Sequence, residues 1–416
     1  MLDFKRSGVV LACLLPLAFQ TNAGSPRIIG GSAVTAPSWM VAVGEVVNGN
    51  WSNFCGGTLI DKQWVLTAAH CVANAQSGPM EVAIGVSDLS RPHTRSKVDQ
   101  VLMHPEYYVN LLNNLGYRET PYSSDVALLH LVTPVTQAPI VIADITTKDT
   151  WQWNTTMLHA LGYGGINPDA TKSSPQLLAV DLAYRGERDY WYGDPTTTHI
   201  FAGKLAGQDT CKGDSGGPLT YGGKLVGVTS YGAFPCATGS AGGYTYAPAF
   251  NDWITGQQQG VTLTTVRGLI LPSGTSGWAD YLLANRSNQA VTLSGIYSDA
   301  PAMSNGCPGR LESGQTCTLR LRADGNDTVG TLRVQGVELT ATNEQGASQR
   351  LESVLMSLTK EPTKTPDTTV TPTTPTTTTT NTSNGGGNGG GGNGGGGATG
   401  FAALLLLPLA WLRRRR

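Results

Sequence analysis

Gly213-Asp214-Ser215-Gly216-Gly217-Pro218 sets a serine in a turn dense with glycine, which adopts backbone shapes that residues with a Cβ resist. Two further segments stand far upstream. Leu66-Thr67-Ala68-Ala69-His70-Cys71 places a histidine directly before a cysteine. Ser124-Asp125-Val126-Ala127-Leu128-Leu129 places an aspartate at the head of an apolar run. Each alone has an ordinary reading, since a lone His, Asp or Ser is most often structural; His93, His104, His130, His159 and His199 are read that way. Around the three segments, residues 28–257 hold many short β-like runs: 40–47, 57–60, 64–67, 81–86, 126–131 and 225–230. Gly, Pro, Asn and Ser separate them. That pattern predicts an all-β sandwich or barrel, not alternating strand–helix units. Residues 250–254 are read as the start of a closing helix.

Taken together and in this chain order, Ala68-Ala69-His70-Cys71, Asp125-Val126-Ala127-Leu128 and the turn around Ser215 resemble the trypsin/chymotrypsin family of serine proteases. The resemblance covers residues 28–257, just over half the chain. It implies a two-barrel, chymotrypsin-like protease domain, set here at 28–258, and peptide hydrolysis through an acyl-enzyme. A hydroxyl is a poor nucleophile until a base takes its proton, so Ser215 is expected to rely on His70. The imidazole suits this because its ordinary pKa lies near the operating pH. Asp125 would fix its tautomer and stabilise the imidazolium. The backbone N–H groups of Gly213 and Ser215 would form the oxyanion hole.

The resemblance also implies a specificity. Asp209 stands where trypsin-like members have the floor of the primary pocket, and a buried carboxylate there favours Arg or Lys. Ser230-Tyr231-Gly232 resembles the segment that pairs with substrate backbone as an added strand. Gly232 and Gly242 would line the pocket, with the alignment at Gly242 and Gly243 open by one residue. Arg27 before Ile28-Ile29-Gly30-Gly31 implies a precursor: cleavage would free an Ile28 ammonium to pair with Asp214. Self-activation and activation by another protease both fit. The family further implies Cys55–Cys71 and Cys211–Cys236 disulfides. Phe201 stands where relatives usually carry a Cys, and Val86 where calcium-binding members place an acidic ligand. No metal or cofactor is expected. Residues 110–122 read as an enlarged loop before Asp125, either restricting substrate access or simply tolerated.

A second β-rich stretch follows at 261–360, with alternating runs at 261–271, 290–297, 317–322, 331–342 and 351–358. About one hundred residues of such strands suit a smaller immunoglobulin-like sandwich, although the diagnostic Cys…Trp…Cys spacing is missing. Cys307 and Cys317 would close a hairpin-sized loop. The even count of cysteines beyond Cys13, in a chain with an export signal, favours disulfides over metal or redox chemistry.

The ends read as targeting segments. Lys5 and Arg6 precede an apolar run and Thr21-Asn22-Ala23, a secretory signal over 1–23. Residues 24–27 would be a short propeptide. Residues 361–383, nearly all Thr and Pro, form an extended linker reaching on the order of 70 Å at about 3.1 Å per residue. A Gly-rich linker fills 384–400. An apolar segment and Arg413, Arg414, Arg415 and Arg416 close the tail at 401–416, marginal for spanning a bilayer. Together they resemble the Gly-Gly sorting tails of Gram-negative bacteria. That resemblance implies rhomboid-type processing, type II export, and transient anchoring before release or display at the cell surface. Loss of both ends removes mostly cations and leaves a mildly acidic chain with no basic stripe, which excludes nucleic acid as an expected partner. Peptides with Arg or Lys before the scissile bond are the expected substrates, acted on by a monomer. The competing reading, from a different class, is a surface binding or adhesion module working through 261–360 and carrying a weakly active or inactive protease fold.

Overall fold

The computed structural model describes residues 28–73, 79–107, 124–187, 198–203 and 206–362. The expected signal peptide, the propeptide with Arg27, the loop at 110–122, nearly all of the Thr/Pro linker, the Gly-rich linker and the 401–416 segment lie outside these residues.

Six strands close a first barrel in the order Met40–Val47, Asn50–Asp61, Trp64–Thr67, Ala127–Leu131, Ser96–Met103 and Met80–Ile84. Their inward side chains build a dense core from Val41, Val43, Leu59, Val65, Leu102, Leu128 and Leu129. A seven-stranded antiparallel sheet follows. Its order is Ser32–Ala33, Leu178–Ala183, Met157–Gly162, Pro218–Tyr221, Lys224–Tyr231, Ala241–Tyr246 and His199–Gly203. A bridge between Tyr184 and Ala202 curls its last strand back towards the second. Ile28, Leu158, Leu178, Ile200, Val226 and Tyr244 fill the inside. This is the expected two-barrel, chymotrypsin-like arrangement, and the closed first barrel hides the edges that an open sheet would expose. The closing helix forms at Asn251–Gln259.

Beyond it lies an all-β unit of two sheets. One orders Val261–Leu263, Ser276–Asn285, Thr316–Asp324 and Ala302–Asn305; the other orders Val266–Pro272, Ser348–Lys360, Leu332–Asn343, Val291–Ser298 and Arg310–Leu311. Tyr281, Leu283, Leu319, Leu321, Leu339 and Leu355 pack between them. The expected single run over 261–271 is instead two strands in different sheets. The chain breaks at Thr264 and Thr265, whose amides bond to Leu282 O and to Val101 O of the first barrel. Cys307–Cys317 is bonded, as are Cys55–Cys71 and Cys211–Cys236.

The sandwich packs on the outside of strand Ser96–Met103. Gln100, fully buried, donates to Leu282 O at 2.8 Å and accepts from Thr262 Oγ1 at 3.0 Å. Thr265 Oγ1 accepts from Met103 N at 2.7 Å. Val266, Val354 and Met356 join the core of the first barrel.

Candidate active site

Strand register brings His70 and Asp125 together. Trp64–Thr67 and Ala127–Leu131 run antiparallel with Thr67 opposite Ala127, so the exit of one strand adjoins the entrance of the other. A short helix at Ala69–Val72 then turns His70 back across that junction. Its Nδ1 lies 2.7 Å from Asp125 Oδ2, and its backbone N–H donates to Oδ1 at 2.8 Å. Asp125 is wholly buried, while the His70 side chain keeps 26% exposure. Ser230 Oγ donates to the same carboxylate at 2.5 Å, and Thr245 Oγ1 donates to the Asp125 carbonyl at 3.0 Å.

Burial disfavours the charged imidazole, but the facing Asp125, through its charge and hydrogen bond, outweighs that and raises the His70 pKa. Burial likewise works against the Asp125 anion. His70, Ser230 and the His70 amide overcome it and hold the carboxyl below its ordinary range.

The second barrel carries Ser215 to the same place. Gly56 N donates to Ser215 O at 2.7 Å, and Thr67 Oγ1 donates to Gly56 O at 2.8 Å, tying the serine turn to the strand that leads into His70. Gly216 is required here. With φ of 77°, an added Cβ would sit 2.2 Å from Thr67 Oγ1 and 2.5 Å from Gly56 O. Among the described residues no hydrogen bond joins the Ser215 hydroxyl to the His70 imidazole. Such contacts are often long before substrate binds. The amides of Asp214, Gly216 and Gly217 donate to Cys211 O, Thr229 O and Asp214 O. Those of Gly213 and Ser215 find no acceptor among the described residues, and both residues are partly exposed.

Asp209 is 4% exposed. Its Oδ2 accepts from Ala237 N at 3.2 Å, while Oδ1 is buried without a partner among the described residues. Burial pushes its pKa up to about 6. A Cβ on Gly242 would lie 3.6 Å from that Oδ1, whereas one on Gly243 would strike the Tyr231 ring at 2.8 Å. Gly242 thus faces Asp209, and Gly243 makes room for Tyr231. Gly232 adjoins Gly242, at 3.8 Å from an added Cβ to the Gly242 Cα. Phe201, where relatives were expected to carry a Cys, is fully buried with its ring 6.2 Å from that of Tyr231.

Ile28 is fully buried in the second-barrel core, and Ile29 O accepts from Asp209 N at 3.0 Å. Asp214 is buried and accepts from Gly164 N at 2.8 Å and Cys211 N at 2.9 Å; burial pushes its pKa up to about 7. Cys55, His70 and Cys71 lie close enough to suggest a metal cluster, but the two sulfurs are bonded to each other and offer no thiolate.

Sequence reading assigned Ser230 only to substrate binding and missed its hydroxyl on Asp125. Thr245 was missed altogether. Each is a common residue in a strand, and only the fold brings it to Asp125 from more than a hundred positions away, 105 for Ser230 and 120 for Thr245.

The sequence model of the family described as Trypsin matches residues 28–254, more than half of the chain. The chain belongs to the trypsin family. Relatives within it include rat glandular kallikrein-10, 35% identical over 244 residues, which cover 56% of this chain and 89% of that protein. Brachyurin of Leptuca pugilator is 32% identical over 238 residues, 56% of this chain and all of that protein. Among solved structures, the Vibrio cholerae VesB protease superposes with a TM-score of 0.56 at 24% identity, covering 80% of this chain and 100% of that one. The secreted serine protease VesC of the same organism gives 0.56 at 23%, covering 79% and 71%. The likeness in fold thus extends past the trypsin-family region. Family membership makes this chain a serine protease by class.

Proposed function

We propose that this trypsin-family protein is an exported endopeptidase, made as a precursor, that hydrolyses peptide bonds after Arg or Lys. The observation that carries the reading is the convergence of His70, Asp125 and the Ser215 turn beside a buried, half-unpaired Asp209 carboxylate. Ser215 Oγ attacks the scissile carbonyl carbon while His70 Nε2 takes its proton. The N–H groups of Gly213 and Ser215 hold the developing oxyanion, and Asp125 stabilises the imidazolium. The proton then passes to the leaving amine and leaves an acyl-enzyme. Water, deprotonated by His70, releases the acid and restores Ser215.

Asp209 is the counter-charge for a substrate cation. Its free Oδ1 supports this, because a buried carboxylate oxygen without a donor gains from a guanidinium or ammonium. The backbone of Ser230, Tyr231 and Gly232 is positioned to add the substrate as a strand, with Gly232 and Gly242 lining the slot. Cleavage after Arg27 would free the Ile28 ammonium, and Asp214, buried and with no cation beside it among the described residues, is its partner. Export through the N-terminal signal, processing of the Gly-Gly tail, an immunoglobulin-like class for the sandwich and a monomeric state complete the reading. The disulfides support an oxidising compartment.

The test is a cleavage-site profile on a peptide library, using protein whose new N-terminus at Ile28 is verified by mass spectrometry. Cuts should follow Arg and Lys and vanish in Ser215→Ala, and Arg27→Gln should block conversion. Cuts after apolar residues would overturn the specificity. No cuts at all from verified mature protein would overturn the reading in favour of a binding module.

A further inference from the structure

The segment around Asp125 is held in an unfavourable shape by contacts that the mechanism above does not use. Ser124 is 1% exposed with a φ of 57°, a left-handed conformation that costs any residue with a Cβ. Its carbonyl accepts from Val126 N at 2.7 Å, folding the backbone tightly around Asp125 itself. Its hydroxyl donates to Glu106 Oε2 at 2.6 Å, a charge-assisted bond. Two residues earlier, His104 N donates to Val126 O at 3.0 Å. The two chain ends that flank Asp125 are therefore stitched together at 104–106 and 124–126.

We propose that Glu106 and Ser124 form a positioning pair, fixing the backbone from which the Asp125 carboxylate meets His70. The proposal rests on the catalytic reading given above. Neither residue touches the imidazole. Glu106 lies on the exposed side, and Ser124 is the buried residue whose relaxation would rotate the next peptide. Thr245 Oγ1 holds the far side of Asp125 by its carbonyl. Without the Glu106 bond, Ser124 loses what offsets its strain. The anchoring on the Glu106 side is firm: the His104 ring packs edge-on against Phe250 and Trp253, both at 5.1 Å, and Tyr107 is buried in the first-barrel core.

The test compares Glu106→Ala, Ser124→Ala, Glu106→Gln and the double alanine variant on an Arg peptide amide, from about pH 5 to pH 9. In the single alanine variants kcat should fall on the order of tenfold with KM within about twofold, since displacement of a positioned group by an ångström costs up to about a hundredfold. The acid limb of the profile should also move to lower pH, because an Asp125 turned away no longer raises the pKa of His70. Among the described groups, Asp125 is the one whose charge bears on His70, while Glu106 faces His104. Ser124→Ala changes no charge and so decides the point. Glu106→Gln keeps an acceptor oxygen and should stay near wild type, and the double variant should be no worse than either single. Folded Ser124→Ala and Glu106→Ala proteins with wild-type kcat and an unmoved acid limb would overturn the pairing. Wild-type protein that fails to hydrolyse the amide would instead overturn the catalytic reading.

Discussion

At the scale of single residues, Asp209 makes the sharpest prediction. Its carboxyl is pushed up to about 6 by burial, and one oxygen lacks a donor among the described residues. A bound amidinium or guanidinium stabilises the anion, so binding and deprotonation are linked. Affinity for an amidinium inhibitor should be flat above about pH 7 and weaken roughly tenfold per pH unit below about 6, measured by calorimetry with protons released to the buffer. Asp209→Ser should lower kcat/KM for an Arg substrate by at least about a thousandfold while sparing apolar ones, the scale of a lost buried charge pair of roughly 4 kcal/mol. Equal losses for both substrate types would contradict the assignment. His70, Asp125, Ser215, Asp209 and Asp214 were all legible as residues, because each sits in a short stretch with a distinctive neighbourhood. The supports were not. Ser230, Thr245, Glu106 and Ser124 are ordinary in sequence and acquire meaning through contacts spanning 105, 120 and 18 positions.

At the scale of elements, strand Ser96–Met103 serves two bodies at once. It pairs within the first barrel, while the Gln100 side chain, Val101 O and Met103 N bond to the sandwich. Gln100 is fully buried with both ends of its amide satisfied across the junction. Gln100→Ala leaves Leu282 O and Thr262 Oγ1 without these partners, so it should destabilise by about 2 kcal/mol or more, measured by denaturant unfolding. A neutral effect would show that the junction contributes little. The barrel strands at 40–47, 64–67 and 126–131 were legible to within a residue, because burial on both faces makes them short apolar runs. The 261–271 run was misread because its composition is evenly β-like. What splits it is the docking of Thr264 and Thr265 against Leu282 and the first barrel. Ser276–Asn285 was passed over altogether, although Ala279, Tyr281 and Leu283 alternate inward.

At the scale of the whole molecule, activation joins the N-terminus to the core of the second barrel. Asp214 is buried with its pKa pushed up to about 7, against 3.8 for an ordinary Asp. Between those values the unfolded chain has released a proton that the folded precursor keeps. The contribution of Asp214 to precursor stability is therefore present below about pH 4 and lost as pH rises through about 7. An ammonium beside Asp214 removes that loss. Thermal unfolding of the Arg27→Gln, Ser215→Ala precursor should show a steeper fall in Tm between about pH 5 and pH 8 than mature Ser215→Ala enzyme. Asp209 is common to both forms and cancels in the comparison. Identical slopes would contradict the pairing of Ile28 with Asp214. That a second β-rich stretch follows the first was readable from composition, but how the sandwich meets the barrel was not, since Gln100 and Leu282 are 182 positions apart.

The most direct measurement is covalent labelling of verified mature protein by an organophosphate that phosphorylates activated serines, read by peptide mass spectrometry. A single adduct on Ser215, forming faster as His70 loses its proton and abolished by His70→Ala, is the predicted result. An unlabelled Ser215, or one labelled at the same rate without His70, would contradict the central claim.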